Sequence, residues 1–281
     1  MGIHKIGVIW NASKTTGLDA VRRILRILDQ RQIPYSANEE LAQAAGDDSV
    51  RDACNFADCN LLAVFGGDGT ILRALDYAIP NDIPILGVNM GRLGFLTEVE
   101  LENAEADVQA VLAGDYLIDE RMIMRIDGQD AERFFALNEI VIDRFAPEVS
   151  VLSLEYSVSG AVVNRISGDG LIVSSATGST AYSLSAGGPI IAPGLDCFVL
   201  TPICAHMLNA RPVVVSANDS ICVRVTDRRS GARVVLDGRK TVPMGFGEIT
   251  IRRSNRSAKF IRLHDRNYFD LLRGKLSEWT H

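Results

Sequence analysis

The chain has no excess of positive charge: 29 lysines and arginines stand against 35 aspartates and glutamates in 281 residues, a formal net charge of −6. Without a global positive field to hold a phosphate backbone, a general nucleic-acid binder is not expected. No stretch approaches the roughly 20 apolar residues that a membrane-spanning helix needs. The opening MGIHKIGVIW has no long apolar core and no small-residue cleavage site. A cytoplasmic protein with no membrane partner is the expectation. Cys54, Cys59, Cys197, Cys204 and Cys222 are odd in number and contain no Cys-x-x-Cys pair, which argues against a disulfide framework or a structural zinc site. The four histidines form no ligand-spaced pair, so no protein-bound metal is assigned. Also missing are Gly-x-x-x-x-Gly-Lys-Ser/Thr, the P-loop, and Gly-x-Gly-x-x-Gly, the dinucleotide fingerprint.

What the chain does have is enough apolar content, 47% of residues, to bury two cores. Its first hundred residues alternate strand-like and helix-like patterns, as expected of a mostly parallel sheet flanked by helices. Ile6 to Trp10, Leu61 to Phe65 and Ile83 to Val88 are apolar runs of strand length, while Leu18, Val21, Leu25 and Leu28 fall along one helical stripe. Asn103 to Leu112 reads as a helix that Gly114 stops. Beyond it the texture changes to short alternating runs. Strands are predicted at Met122 to Ile126, Phe134 to Ile142, Val151 to Val158, Val213 to Val215, Ile221 to Thr226 and Val234 to Leu236. A final helix, Asn267 to Trp279, is expected to pack back on the first domain. The predicted fold is therefore an α/β domain over 1–100, completed by 259–281, and a β-rich, sandwich-like domain over 101–258.

The strongest chemical signal is Gly66-Gly67-Asp68-Gly69-Thr70, directly after an apolar strand. Glycines turn sharply and let a ligand approach the backbone. Thr70 is expected to cap the next helix, whose free N–H groups favour a phosphate. Asp68, the one charged side chain in the loop, suits phosphoryl transfer. That transition state is loose, so orienting the attacking hydroxyl is its favoured task. Thr177 to Gly188 gathers hydroxyls and glycines around Tyr182, either a ligand-binding stretch or an ordinary serine-rich loop. Asn138-Glu139 interrupts an apolar run. Two polar residues in a buried strand need partners, which a ligand or solvent at a strand edge would supply. Gly168-Asp169-Gly170 and Asp237-Gly238 read singly as turns. Arg228-Arg229 and Arg252-Arg253 read as solvated faces, with assistance to a nucleotide triphosphate as the alternative.

In this order the signals resemble the NAD kinase family, over nearly the whole chain. The matching stretches are Gly66 to Thr70, Gly91 to Thr97, Asn138-Glu139, Asp169 to Val173, Thr177 to Tyr182, Ser185 to Ile190 and Leu208 to Pro212. The Gly-Gly-Asp-Gly element is shared with phosphofructokinases and lipid kinases, and Thr-Gly-Ser-Thr-Ala-Tyr with the upstream Asn-Glu narrows the choice. The resemblance implies transfer of the ATP γ-phosphate to the 2′-hydroxyl of the adenosine ribose of NAD. It implies Mg2+ carried with ATP and a homo-oligomer, dimer or tetramer. By the same likeness Asp68 is the catalytic residue and Gly66, Gly67, Gly69 and Thr70 form the phosphate loop. Asp68, Gly69, Asn138, Glu139, Ser167, Asp169, Thr177, Thr180, Ala181, Tyr182, Ser183, Leu184, Ser185 and Arg239 would line the NAD site. Three positions depart from the pattern: Ala176 replaces a proline, Arg239 stands where many bacterial members have glutamine, and Ser167 where some have arginine. The alternatives are a diacylglycerol-type lipid kinase and a non-catalytic dinucleotide-binding regulator.

Overall fold

The computed structural model describes residues 2–13, 17–45, 55–91, 94–130, 133–145, 151–207, 209–227, 231–245, 247–263 and 267–278. The chain forms two compact units, Met1–Glu120 with Ala258–His281, and Arg121–Ser257.

The first unit runs β1 (Ile6–Trp10), α1 (Leu18–Gln30), β2 (Tyr35–Ala37), α2 (Glu39–Ala45), β3 (Leu61–Gly66), α3 (Asp68–Asn81), β4 (Ile85–Asn89), β5 (Val99–Glu100) and, after a single 3-10 turn, α4 (Ala104–Ala113). The strands lie parallel in the order β2-β1-β3-β4, with β5 beside β4. Because β1, β3 and β4 are buried along their full lengths, their sequences are unbroken apolar runs rather than alternations. The stripe on α1 buries Val21, Leu25 and Leu28, with Leu18 half-buried against the same core. Gly114 ends α4 in the left-handed region at φ 86°, as its position after the last turn predicts. Residues 101–120 cluster with this unit because α4 packs on α1 and β5.

The chain continues with β6 (Leu117–Ile126), which enters the second unit at Arg121, then β7 (Phe135–Ala136), β8 (Glu139–Arg144), β9 (Leu152–Val158), β10 (Ala161–Gly168), β11 (Gly170–Ser175), a 3-10 turn over Thr177–Thr180 and the short α5 (Tyr182–Ser185). Then follow β12 (Cys197–Ile203), β13 (Val213–Ser216), β14 (Ile221–Val225), β15 (Ala232–Leu236), β16 (Lys240–Gly245) and β17 (Glu248–Arg262). One antiparallel sheet has the order β13-β12-β11-β8-β15-β16; in the other, β10, β9, β14 and the first residues of β17 pair antiparallel. Their inner faces share a core, Ile140, Ile142, Val173, Leu200 and Val234 against Leu154, Tyr156, Val223 and Ile251. The last residues of β17 belong to the first unit, where Phe260 pairs with Ile85 and Arg262 reaches Glu98 and Asp119, each at 3.0 Å. The final helix, α6 (Tyr268–Glu278), belongs there too.

Two local expectations change. The run from Phe134 to Ile142 is not one strand: it breaks at Leu137-Asn138, whose N–H groups turn to a side chain rather than to a neighbouring strand. Nor does Thr70 cap α3. The cap position is Gly67, extended at φ −114° and ψ −172°, and Thr70 lies in the first turn, where its Oγ1 accepts a hydrogen bond from Asn11 Nδ2 at 3.1 Å.

Candidate active site

In the first unit the glycine loop joins the end of β3 to the start of α3. A Cβ on Gly66 would lie 2.3 Å from Thr70 Oγ1, so only glycine lets the helix start so close to the strand. A Cβ on Gly69 would meet nothing within 4 Å, and Gly69 is exposed, which leaves open space over the first turn. Asp68 is half-buried and held from outside its own loop. Its Oδ2 accepts the Phe95 N–H at 2.9 Å and its Oδ1 the Leu96 N–H at 3.1 Å. A Cβ on Gly94 would sit 2.0 Å from Asp68 Oδ1, and the Gly94 N–H donates to Thr97 Oγ1 at 2.9 Å. Gly94 is therefore glycine so that the carboxylate can approach the loop. With one backbone donor on each oxygen the carboxylate plane is fixed, and each oxygen retains a lone pair for another hydroxyl. Arg92 and Leu93, within the quoted stretch Gly91 to Thr97, lie outside the described residues.

In the second unit the structure brings Asn138 and Glu139 together with the turn at Thr177. A Cβ on Gly178 would lie 2.0 Å from the Asn138 carbonyl oxygen, so the turn rests directly on that backbone. Ser175 donates its hydroxyl to the Leu137 carbonyl at 2.5 Å, and its N–H donates to the Asn138 carbonyl at 2.9 Å. The buried Asp237 completes the arrangement. Its Oδ2 accepts from Leu137 N–H at 2.9 Å, and its Oδ1 accepts from the N–H groups of Asn138 at 2.8 Å and Glu139 at 3.1 Å. Read from sequence as a plain turn, Asp237 instead clamps a segment 98 to 100 residues away. Its φ of 49°, followed by Gly238 at 65°, is what aims the carboxylate inward. Arg239 approaches from the same turn, 3.8 Å from Asp237 Oδ2, with its side chain 15% exposed.

The electrostatics of this cluster are unusual. Burial, then the neighbouring Asp237 charge, pushes the Glu139 carboxyl up to about 8. Burial raises Asp237 as well, while three backbone donors and Arg239 act against that rise. Glu139 Oε2 is buried without a partner among the described residues. Glu155, on β9, shows the opposite case: hydrogen bonds from Arg165 and Arg224 hold its carboxyl below the usual range.

The remaining candidates divide by the direction their polar atoms take. Ser179 and Ser183 are fully buried scaffold hydroxyls: Ser179 donates to the Ala176 carbonyl at 2.7 Å, and Ser183 pairs with Thr201 at 2.9 Å. Ser183 can thus serve a ligand only through its backbone. Thr177, Thr180, Ala181 and Leu184 are half-buried, and Tyr182 and Ser185 are exposed. Burial, then negative charge from Asp143, Cys204, Asp169 and Glu139, raises the Tyr182 phenol, which places these groups within electrostatic reach of one another. Asp169 is paired with Arg144 at 3.1 Å, and Ser167 Oγ lies 3.2 Å from Ser153 Oγ. Arg252 and Arg253, read as solvated, make ion pairs with Asp127 at 2.7 Å and Asp196 at 2.6 Å; Arg228-Arg229 and Leu208 lie outside the described residues. Among the described residues no group of three or more His, Cys, Asp or Glu is placed to hold a metal ion.

Comparison with known proteins adds the following. Residues 6–116 match the family model of the ATP-NAD kinase N-terminal domain and residues 137–263 that of the ATP-NAD kinase C-terminal domain. The chain is 39% identical over 279 residues to the NAD kinase of Heliobacterium modesticaldum, covering 97% of this chain and 98% of that protein. It is 36% identical over 286 residues to the NAD kinase of Desulforamulus reducens, covering 99% of each. The crystal structure of an NAD kinase from Archaeoglobus fulgidus in complex with ATP superposes with a TM-score of 0.77 at 32% identity, covering 97% of this chain and 98% of that one. Yeast NADH kinase complexed with NADH shares the fold, with a TM-score of 0.85 at 20% identity over 99% of this chain and 88% of that one.

Proposed function

Because the chain belongs to the NAD kinase family, we infer that it is an ATP-dependent NAD kinase, transferring the γ-phosphate of ATP to the 2′-hydroxyl of the adenosine ribose of NAD to give NADP. The observation that carries the reading is a pair of family models that together span both units, with Asp68 held at the mouth of a glycine loop. A lipid kinase shares only the glycine loop, and a silent regulator would not need the Asp68 carboxylate fixed by two backbone donors.

In this reading Asp68 accepts a hydrogen bond from the ribose 2′-hydroxyl and aims its oxygen at the γ-phosphorus. The N–H groups of the first residues of α3 receive the phosphates. Electrostatic and orientational help suffices for a loose transition state, so Asp68 need not remove the proton early. Asn138, Glu139, Asp169, the stretch from Thr177 to Ser185, Ser167 and Arg239 are assigned to NAD. Glu139, carrying its proton at neutral pH, serves there as a hydrogen-bond donor as well as an acceptor. A divalent cation such as Mg2+, carried with the nucleotide, would be held chiefly by the donor phosphates and would neutralise their charge, and Asp68 is the acidic group on the glycine loop beside which those phosphates would lie. The proposal includes a cytoplasmic homo-oligomer, a dimer or tetramer. Among the described residues no helix is long and apolar enough to cross a membrane. Incubating the purified chain with ATP, Mg2+ and NAD tests the reading: NADP formation is expected, and its absence rejects it.

A further inference from the structure

The loop that holds Asp68 is fastened at its far end. The Glu98 N–H donates to the Gly87 carbonyl at 2.9 Å, a Cβ on Gly87 would lie 3.1 Å from Thr97 Cα, and Leu96, Thr97 and Glu98 are each no more than 3% exposed. Nearer the carboxylate the loop changes character. Gly94 and Phe95 are only half-buried, and Gly94 has no side chain to anchor it. The Phe95 ring is the side chain by which this end can be held from outside the loop.

The group that meets this ring comes from the last helix of the chain. Tyr268, half-buried in the first turn of α6, places its ring 6.3 Å from that of Phe95, centroid to centroid, with the planes at 43°. Aromatic rings attract one another at such separations. Tyr268 is braced in turn by Phe269, whose ring meets it edge-on at 5.4 Å and 70°. The residues leading towards α6 grip the far end of the same loop: the Leu263 N–H donates to Glu98 Oε1 and Arg262 Nη1 to Glu98 Oε2, each at 3.0 Å. Phe95 gives its own N–H to Asp68 Oδ2 at 2.9 Å, and the next N–H, of Leu96, goes to Oδ1 at 3.1 Å. Ring and donor therefore share one Cα, so a rotation of Phe95 turns the N–H groups that fix the carboxylate.

We propose that Tyr268 is a positioning residue for the transfer: its ring fixes Phe95 and, through the Phe95 and Leu96 N–H groups, sets the plane of the Asp68 carboxylate. Tyr268 acts through Phe95 and needs no contact with substrate. Loss of its ring lets this end of the loop drift, and a misplaced reacting group slows the transfer without weakening binding. The proposal rests on the reading of Asp68 as the residue that orients the ribose hydroxyl.

The test uses the full chain with Tyr268→Ala, with Tyr268→Phe, which keeps the ring and deletes the hydroxyl, and with Leu276→Ala, on the same helix at a position 38% exposed. Hydrogen exchange is followed at the Phe95 and Leu96 amides, and kcat and KM are measured for ATP and for NAD. Tyr268→Ala is expected to speed exchange at both amides and to lower kcat by about three- to tenfold, the worth of one aromatic pair, with each KM within about twofold. Tyr268→Phe and Leu276→Ala should match the wild type in every quantity. Introduced into Asp68→Asn, Tyr268→Ala should change kcat by no more than about twofold, whereas a merely structural role would slow both backgrounds alike. If Tyr268→Ala does not fold, Tyr268→Leu, which keeps apolar bulk without the ring, decides the matter by the same measurements. Unchanged exchange or unchanged kcat in a chain that makes NADP would overturn the proposal alone, as would an equal loss in the Asp68→Asn background or a Tyr268→Phe variant as slow as Tyr268→Ala. Should the wild-type chain form no NADP while loss of the ring still speeds the two amides, the kinase reading falls and the link from Tyr268 to the loop stands.

Discussion

The two acidic centres of the molecule are built in opposite ways. Asp68 sits half-buried at the end of a strand, in a loop whose glycines clear space, and is steadied by two backbone donors fewer than thirty residues away. Glu139 and Asp237 are buried, come from segments 98 residues apart, and burial pushes both carboxyls up. The first arrangement leaves lone pairs available to a substrate. The second spends its carboxylate on three backbone N–H groups and so fixes the shape of the Asn138-Glu139 segment. In the proposed reading an acid that reacts and an acid that positions differ in what occupies their oxygens rather than in residue type.

The sharpest way to break this contrast is to neutralise the first centre. Asp68→Asn is expected to lower kcat by about 100- to 10,000-fold, while calorimetry shows NAD still bound within a few-fold of the wild-type affinity. If the two fall together, Asp68 belongs to binding rather than to the transfer. Removing the second centre should act on the fold instead. Asp237→Ala strips the acceptor from three N–H groups, and urea unfolding is expected to show a loss of about 3 kcal/mol. KM for NAD should rise with it as the Asn138-Glu139 segment loosens.

A smaller change refines the account of the first centre. Gly94→Ala forces the Asp68 carboxylate aside, because the added Cβ would lie 2.0 Å from Oδ1. The obstacle is the end of a side chain, so the fold survives, but displacing a reacting group by about 1 Å costs on the order of 100-fold in kcat. The second centre also carries a slope with pH. Glu139 keeps its proton up to about pH 8 in the folded chain and has a reference value of 4.5. The stability this supplies is complete below about pH 4.5 and is lost progressively as pH rises to about 8, at roughly 1.4 kcal/mol per pH unit at most. Comparing urea unfolding at pH 5 and pH 8, Glu139→Gln should gain on the wild type at the higher pH. A constant difference would show that Glu139 is ionised throughout.

The same contrast explains what could be read from the residues alone. The parallel strands were legible because burial on both faces leaves unbroken apolar runs, as in Leu61 to Phe65, and the glycine loop because its residues adjoin in the chain. Gly114 announced the end of α4 for the same local reason. The break at Leu137-Asn138 was not legible, since its cause is Asp237, an Asp-Gly pair that looks like any turn. β17 was missed because its 15 residues mix buried Ile251 and Phe260 with charged positions such as Arg252 and Arg253, whose ion pairs lie with distant Asp127 and Asp196. Hydroxyls that face inward, Ser179 and Ser183, cannot be told by sequence from those that face a ligand. Family resemblance supplied the list of candidates, and the geometry sorted scaffold from site.

The central claim is that the loop at Gly94 to Leu96 works through the Asp68 carboxylate and through nothing else. Its most direct test is a double-mutant cycle on kcat with Asp68→Asn, Gly94→Ala and the pair combined. The double variant is predicted to be no slower than Asp68→Asn alone, because a carboxylate already lost has no position to lose. Full additivity of the two effects would contradict the account.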